Sequence, residues 1–572
     1  MWNIYQKRLE MHKVKKIIIA VSSVIFGIPL ALTVVLFAIG TYLLLTADFL
    51  QPDVKVDLDK YEVSIHSDSL RVCDNSRLLL NKYGLWEAHI SGNSIDRGAE
   101  YGVLCDDLLK TQEDVFVNQI HVMIPSDLWV DFLHKFIIIF NRNMARYIPE
   151  EYREEIYAIS LSCTNEYNSY GPPYVRQLNY HAAHDIGHAM QEYMLVGCSS
   201  FACWDEQSES NNLIIGRNFD FYVGDDFAKN KMLLFVEPEN GYKFASISWP
   251  GMMGVLSGMN EEGITVTINA AKGKIPTSSA MPISLLARHI LQYASNIEEA
   301  YAIAQEFETF VSESLLIGSA NDGYAAIIEK TPAKIALYKS DDSRIVCTNH
   351  YQSPLFANDE YNVENISTTD SPYRHRRINE LLDETVPLSA DEAVGILRNR
   401  HGLGNADIGL SNEKSINQFI AHHSVVFEPS ELRFWVSTAP WQLGEYVCYD
   451  LNDIFDAPAT KVGSYASSEY NIPADTLALN DEYIRVCRYR EQYKTIMSAI
   501  DNGQGISSEY KNEFIANNPH YFQVYNALGD YEESVGNYEQ AVSYWQKALS
   551  LEIPRVAEKE EIISKIKQYD KK

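Results

Sequence analysis

The sequence predicts an α+β chain built on a largely antiparallel sheet covered by helices, and three observations carry that reading. From Cys198 to about Leu451, short β-type apolar runs follow one another with helical stretches between them. Two of these runs, 198–204 and 213–221, flank an almost wholly polar break at Asp205–Asn212. Helix-period patterning dominates on either side of the block, at 113–170 and beyond Ala474.

The 572 residues give room for more than one domain and a large core, and 46% hydrophobic with 22% charged residues is ordinary for a globular protein. A formal net charge of −29 excludes nucleic acid as a partner, because phosphates would repel the chain. The 36 tyrosines are read as core and pocket lining.

Taken in order, residues 1–16 form a basic N-terminal stretch and 17–47 a membrane anchor. Ile17 to Ala47 carries no charged residue, and about 20 such residues cross a bilayer. Lys7, Arg8, Lys13, Lys15 and Lys16 precede it, whereas Asp48, Asp53, Asp57 and Asp59 follow. The positive-inside bias then predicts a single-pass membrane protein with a cytoplasmic N-terminus and an extracytoplasmic catalytic domain. A cleaved signal peptide, the alternative, has a shorter apolar region of about 7–15 residues.

Residues 48–82 are expected to be a linker, with a first helix within Val54–Leu70. Tyr83–Gly92 reads as a strand ending in a turn, Asn93–Leu109 as a helix, and 113–170 as helical through Phe116, Ile120, Val122, Leu128, Phe132 and Phe136. Gly171-Pro-Pro breaks that pattern, and Tyr180–Met194 resumes it before Gly197. Strands are then expected at 232–236, 244–249, 254–259, 264–269, 324–330, 335–339, 345–349, 424–428 and 432–436. Helices are expected at 282–308, 373–382 and 390–398.

The tail 474–572 is helical. Asn526-Ala-Leu-Gly-Asp-Tyr, then Gly536-Asn-Tyr-Glu-Gln-Ala-Val-Ser-Tyr-Trp and a closing Pro554, fits one tetratricopeptide repeat, with weaker helices at 480–500 and 507–517. A solenoid needs about three repeats, so the tail reads as a small packed cap with a possible protein partner. The eight cysteines include no CxxC pair, which argues against a zinc ribbon or thioredoxin motif. Their disulfide pairing stays open.

The chemistry centres on the hairpin 198–221. If its turn sits near Ser208–Glu209, Cys198 lies opposite roughly residue 219, near Arg217, Asn218 and Asp220. A cation beside a thiol lowers its pKa and raises the thiolate fraction a nucleophile needs. The plain alternative is a buried structural cysteine with an ordinary Arg217–Asp220 ion pair. Cys203 faces the other way on strand alternation and reads as core.

Gly-Cys-Ser-Ser-Phe-Ala (197–202), Gly-Arg-Asn-Phe-Asp-Phe (216–221), Glu-Gly-Ile-Thr-Val-Thr-Ile-Asn (262–269) and Cys-Thr-Asn-His (347–350) together resemble the N-terminal-nucleophile (Ntn) hydrolases of the penicillin acyltransferase type, related to choloylglycine hydrolases. The resemblance covers roughly residues 83–455. It implies a four-layer αββα sandwich and a precursor cut just before a cysteine, whose freed amine acts as base for its own thiol. The cut would fall at Gly197–Cys198, dividing a propeptide-like part, 83–197, from a catalytic part, 198–473.

Carried over by position, the resemblance makes Cys198 the nucleophile, with Arg217 beside the thiol and Asp220 holding the amine. Asn269 would donate to the oxyanion, Asn349 would position amine or substrate, and Arg374 would be the family's later arginine, with Arg376 and Arg377 as neighbours in the same run. Asn269 and Asn349 also suit simple turn formation. The implied activity is amidohydrolase or N-acyltransferase, through a Cys198 thioester, on acyl amides of small molecules or lipids. No cofactor is implied.

Two other readings compete. His184 and His188, at i and i+4 with Asp185 between them, resemble a zinc-binding helix, although Asp is shorter than the usual Glu base, Gly187 weakens the helix and no third ligand is evident. Alternatively the sandwich is a non-catalytic scaffold acting through the tail.

Overall fold

A computed structural model describes residues 28–67, 69–189, 197–458 and 461–569. Its strands, in chain order, begin with β1 (Ser64–Ser67), β2 (Leu70–Cys73), β3 (Ser76–Leu80), β4 (Trp86–Gly92), β5 (Ser199–Cys203) and β6 (Ile214–Asp220). They continue with β7 (Met232–Pro238), β8 (Phe244–Ser248), β9 (Ser257–Asn260), β10 (Ile264–Ala270), β11 (Glu313–Ser319) and β12 (Tyr324–Lys330). The last are β13 (Ile335–Tyr338), β14 (Arg344–Cys347), β15 (Ala421–Glu428), β16 (Arg433–Ser437) and β17 (Tyr446–Asp450).

Two sheets result. The larger runs β1-β2-β3-β4-β7-β8-β9-β10-β11-β12-β13 and the smaller β14-β5-β6-β15-β16-β17. Every pairing is antiparallel except β4 with β7, which run parallel from Trp86 opposite Met232 to Gly92 opposite Pro238.

Side-chain alternation explains the layering. On β10, Ile264, Val266 and Ile268 join the apolar cluster under the helices Ser94–Leu104, Ile283–Tyr293 and Ile297–Glu306. The alternate residues Thr267 and Asn269 meet Ser200 of the smaller sheet. A second cluster, with Ala202, Ile215, Phe235, Leu316, Ile327 and Phe427, fills the space between the sheets. A third packs Phe201, Ile214 and Val426 against Ile378, Leu382 and Leu397 of the helices Ser371–Thr385 and Ala390–Leu397. Each fully buried Leu, Ile, Val or Phe contributes about 1.5–3 kcal/mol, so three such clusters fix an order of helices, sheet, sheet, helices.

The hairpin forms in the expected register, with Ser199 opposite Asn218 and Ser200 opposite Arg217. Its polar connection holds Asp205 and Asn211 at φ 48° and 55°, a left-handed conformation those residue types tolerate. Beyond β17 the tail is a set of helices, among them Glu482–Asn502, Ser508–Asn517, Phe522–Ser534, Tyr538–Leu549 and Val556–Tyr569. A Cβ on Gly529 would lie 2.4 Å from the Trp545 ring, so only glycine lets the helices Phe522–Ser534 and Tyr538–Leu549 approach this closely.

Several expectations are corrected. Residues 48–82 are not merely a linker with a helix, because 64–80 carry β1–β3. Strands of four or five residues are too short to show a period. β11 and β17 were not foreseen, and β11 is buried along its whole length, so it lacks the alternation of a half-exposed strand. The membrane anchor over 17–47, and with it the single-pass topology and extracytoplasmic location, is overturned. Among the described residues no helix is long and apolar enough to cross a membrane. Of that stretch, the helix Ile28–Leu45 lies within the described residues. Residues 1–27 lie outside the described residues, as does the end of the helix expected over 180–194.

Candidate active site

Because opposite residues on paired strands point the same way, Cys198, Ser200 and Arg217 share the face of the β5–β6 hairpin that looks at the larger sheet. Cys198 is fully buried. Arg217 Nη2 approaches its Sγ at 3.7 Å. The guanidinium is held by the carbonyl of Leu256 at 2.9 Å, by the carbonyl of Ile268 and by the hydroxyl of Ser257. It also lies over the Phe219 ring, 4.5 Å from the centroid. Ser257 Oγ in turn pairs with His423 Nε2 at 2.7 Å, and His423 Nδ1 lies 3.0 Å from His422 Nδ1. Burial keeps both histidines neutral, with the His422 pKa pushed down to about 3 and that of His423 well below the usual value.

The opposite face of the hairpin carries Ser199 and meets Arg374. Arg374 Nη1 donates to the Cys198 carbonyl at 2.7 Å and to Ser199 Oγ at 2.8 Å, while Nη2 donates to Asn349 Oδ1 at 2.8 Å. Asp370, the N-cap residue of the helix Ser371–Thr385, accepts from Arg374 Nε at 2.9 Å. Arg377 is turned away toward Asn399, Glu380 and Asn405. Asn349 Nδ2 donates to the carbonyl of Ala270 at 2.8 Å. Asn269 braces the two sheets: its Oδ1 accepts from Ser200 Oγ at 2.9 Å, and its Nδ2 donates to the carbonyls of Cys347 at 3.0 Å and Thr348 at 3.4 Å.

Asp220 ends β6, its backbone carbonyl accepting from Gly197 N at 3.2 Å. Its carboxyl is buried, and neither oxygen has a hydrogen-bond partner among the described residues. Burial pushes its pKa up to about 8, against the opposing pull of Arg374 and Arg217. Arg217 does pull the thiol pKa down, as expected, but the net shift is upward. Burial raises Cys198 to about 11 and outweighs the arginine, so in the intact chain the residue is a neutral thiol at pH 7.

All six residues expected at the site are thus joined by short paths. Arg217 and Arg374 touch Cys198, Asn349 touches Arg374, Asp220 bonds the backbone of Gly197, and Asn269 reaches the hairpin through Ser200. Ser257, His422, His423 and Asp370 were not foreseen; a histidine pair opening the apolar run of β15 is the one signal that pointed to any of them.

The rival histidines fare differently. His184 Nδ1 sits 3.1 Å from Asp185 Oδ1, and Asp185 Oδ2 accepts from Ile283 N at 2.9 Å, capping the helix Ile283–Tyr293. The side chain of His188 lies outside the described residues. Among the described residues, no group of three or more His, Cys, Asp and Glu is arranged to hold a metal, and no disulfide joins the cysteines.

Residues 207–439 match the family model of acyl-coenzyme A:6-aminopenicillanic acid acyl-transferase. The resemblance to the penicillin acyltransferase type of Ntn hydrolase is therefore shown for that region. An uncharacterized protein of Archaeoglobus fulgidus is 23% identical over 398 residues, 63% of this chain and 65% of the relative. Protein dcd1B of Dictyostelium discoideum is 22% identical over 260 residues, 42% of this chain and 49% of the relative. The matches span less than two thirds of either relative. Among solved structures, an N-acylethanolamine-hydrolyzing acid amidase ortholog of Caenorhabditis elegans has a TM-score of 0.30 at 15% identity, covering 41% of this chain and 93% of its own. A conjugated bile acid hydrolase of Clostridium perfringens has a TM-score of 0.31 at 11% identity, covering 45% and 92%.

Proposed function

We propose that this chain is a cysteine amidohydrolase or N-acyltransferase of the Ntn type, matured by cleavage at Gly197–Cys198. One observation carries the reading: Asp220, whose buried carboxyl has no hydrogen-bond partner among the described residues, holds through its backbone carbonyl the N–H of Gly197, which precedes a cysteine whose thiol meets Arg217. Leaving a buried polar group unmatched costs about 1–3 kcal/mol, and a freed Cys198 ammonium is the donor that would satisfy it. An α-amine has a pKa of about 7.7–8.0, suited to taking a thiol proton near neutrality. The neutral thiol of the intact chain, the cut, and the amine as base then form one sequence.

In turnover, Cys198 Sγ bonds to the acyl carbonyl carbon as its proton passes to the Cys198 amine, and that proton leaves with the departing substrate amine. Water or an acceptor amine then takes the acyl group from the thioester. Arg217 favours the thiolate, and Arg374 holds the Cys198 backbone and Asn349. As oxyanion donor Asn269 must give up one of its bonds to the Cys347 and Thr348 carbonyls, and such a donor contributes about 2.7–4 kcal/mol. On this reading 83–197 is the propeptide-like part, 198–473 the catalytic part and 474–572 a tetratricopeptide-like tail.

The acyl group is proposed to be apolar. Leu109, Phe116, Tyr180, Phe221, Phe227 and Trp249 wall a cavity of about 40 Å³. That is room for one or two waters, so a substrate enters only if the walls from 109–184 move aside. The test is acyl release from N-acyl amino acids, bile-acid conjugates and acyl-amine lipids, alongside Cys198→Ala. Turnover that survives the alanine, or that is confined to small polar amides, sinks the proposal.

A further inference from the structure

The segment Leu410–Phe419 lies between the C-terminal helices and the Gly197–Cys198 peptide. On the tail side, Leu410 N donates to Asn518 Oδ1 at 2.9 Å, and Asn518 Nδ2 donates back to the Leu410 carbonyl at 2.8 Å. Asn412 Nδ2 donates to the carbonyl of Glu552 at 3.0 Å, and Lys414 Nζ donates to the Glu552 carboxylate at 2.6 Å. Helix Glu482–Asn502 supplies the last hold. Its Arg490 Nη2 donates to the Phe419 carbonyl at 2.8 Å, and its Val486 shares a buried apolar cluster with Phe419. Phe419 has φ 59°, a left-handed conformation that a bulky residue keeps only where its surroundings over-determine it.

On the other side stands Gln418, 2% exposed, with Nε2 donating to the carbonyl of Glu413 at 3.2 Å. A Cβ placed on Gly197 would lie 3.0 Å from Gln418 Nε2 and 3.6 Å from Arg374 Nη2, so these two side chains flank the Gly197 backbone. The carbonyl of Ile416, two residues away, accepts from Asn218 Nδ2 at 3.0 Å, which ties the segment to β6.

We propose that the C-terminal helices clamp this segment, and that Gln418 is the positioning residue through which they hold the Gly197 carbonyl against the Cys198 thiol for cleavage. The inference rests on the proposed cut at that bond. In the cut, Sγ bonds to the Gly197 carbonyl carbon, the C–N bond breaks and the thiol proton passes to the departing nitrogen. Water then cleaves the thioester, restoring the thiol and leaving a Gly197 carboxylate. Gln418 exchanges neither proton nor electron pair; it fixes the geometry of attack, where a misplacement of about 1 Å costs on the order of a hundredfold.

The test follows the intact mass of the freshly translated full chain with time, for wild type, Gln418→Ala, Arg490→Ala and Arg490→Lys. The alanine variants should cut at least about tenfold more slowly. The ammonium introduced by Arg490→Lys can still donate to the Phe419 carbonyl and should restore most of the rate. Turnover per cut molecule in Arg490→Ala should stay within about twofold of wild type, which a general folding defect would not allow. Should Arg490→Ala fail to fold, as read by circular dichroism, Gln418→Ala poses the same question without touching the tail. Both alanine variants cutting at the wild-type rate would overturn the clamp while leaving the cut standing. A wild type that stays at full mass would overturn the cut itself and the clamp with it.

Discussion

Arg374 Nη1 donates to the carbonyl oxygen of Cys198 at 2.7 Å, on the face of β5 opposite to the one where Arg217 meets the same residue's thiol at 3.7 Å. One cysteine is thus gripped by two buried guanidinium groups, one at its backbone and one at its side chain. That division of labour makes the two arginines separable by experiment.

Arg217→Lys should lower kcat/KM by about 10–100-fold. The guanidinium reaches the Leu256 and Ile268 carbonyls, Ser257 and Cys198 at once, and a single ammonium cannot span that fork. The pH dependence of thiol alkylation should move to higher pH in the variant. An unchanged profile would remove Arg217 from any role at the thiol.

Asp220 gives a pH signature in the uncuttable Cys198→Ala chain. Its folded pKa is raised from 3.8 to about 8, so the folded state holds the proton more tightly than the unfolded state. Stability is therefore full below about pH 4 and is lost progressively as pH rises toward 8. Adding Asp220→Asn should raise the melting temperature by at least about 3 °C at pH 8, with a smaller gain at pH 5. Equal gains at both pH values would mean that the carboxyl is not held protonated.

Glu155 behaves in the opposite sense. It accepts from Arg97 at 2.6 Å and from Arg288 at 2.8 Å, tying three helices of the outer layer together, and these arginines overcome burial to hold its pKa down to about 2. The stability it lends is present above about pH 4.5 and is lost as pH falls through about 2. Glu155→Gln should cost about 3–5 kcal/mol in urea denaturation, because two buried cations lose their counter-charge. A loss below about 1 kcal/mol would show the triad to be dispensable.

In the tail, Gly529→Val should cost about 1–3 kcal/mol, since even the first carbon of the side chain meets the Trp545 ring. Tryptophan emission and melting temperature together report the change. A variant that melts with wild type would show that the helix pair can spread without penalty.

How much of this was legible in the sequence depends on the range of the interaction. The hairpin register could be read because turn composition and a two-residue period are local, and Ser199 duly faces Asn218. The grouping of Cys198 with Asn269, Asn349 and Arg374 was legible only through family motifs, since those residues come from separate elements. The histidine pair 422–423 is visible in the sequence, but nothing local marks His423 as a partner of Ser257 or Gln418 as a neighbour of Gly197, because those contacts join distant parts of the chain. The thiol pKa was misread because an arginine can be seen in a sequence and complete burial cannot.

The parallel ladder between β4 and β7 has a consequence for how the mature molecule is counted. A cut before Cys198 would fall between these strands in the chain yet leave their pairing, Trp86–Gly92 against Met232–Pro238, untouched in the sheet. The product would be a heterodimer whose subunits had never met as strangers, since their interface is the interior of a domain that folded as one piece. Dilution would have no purchase on such a pair. Gel filtration should return a single particle at any concentration, a denaturing gel should return two chains, and neither half, once separated, holds the pattern from which the sheet was first assembled.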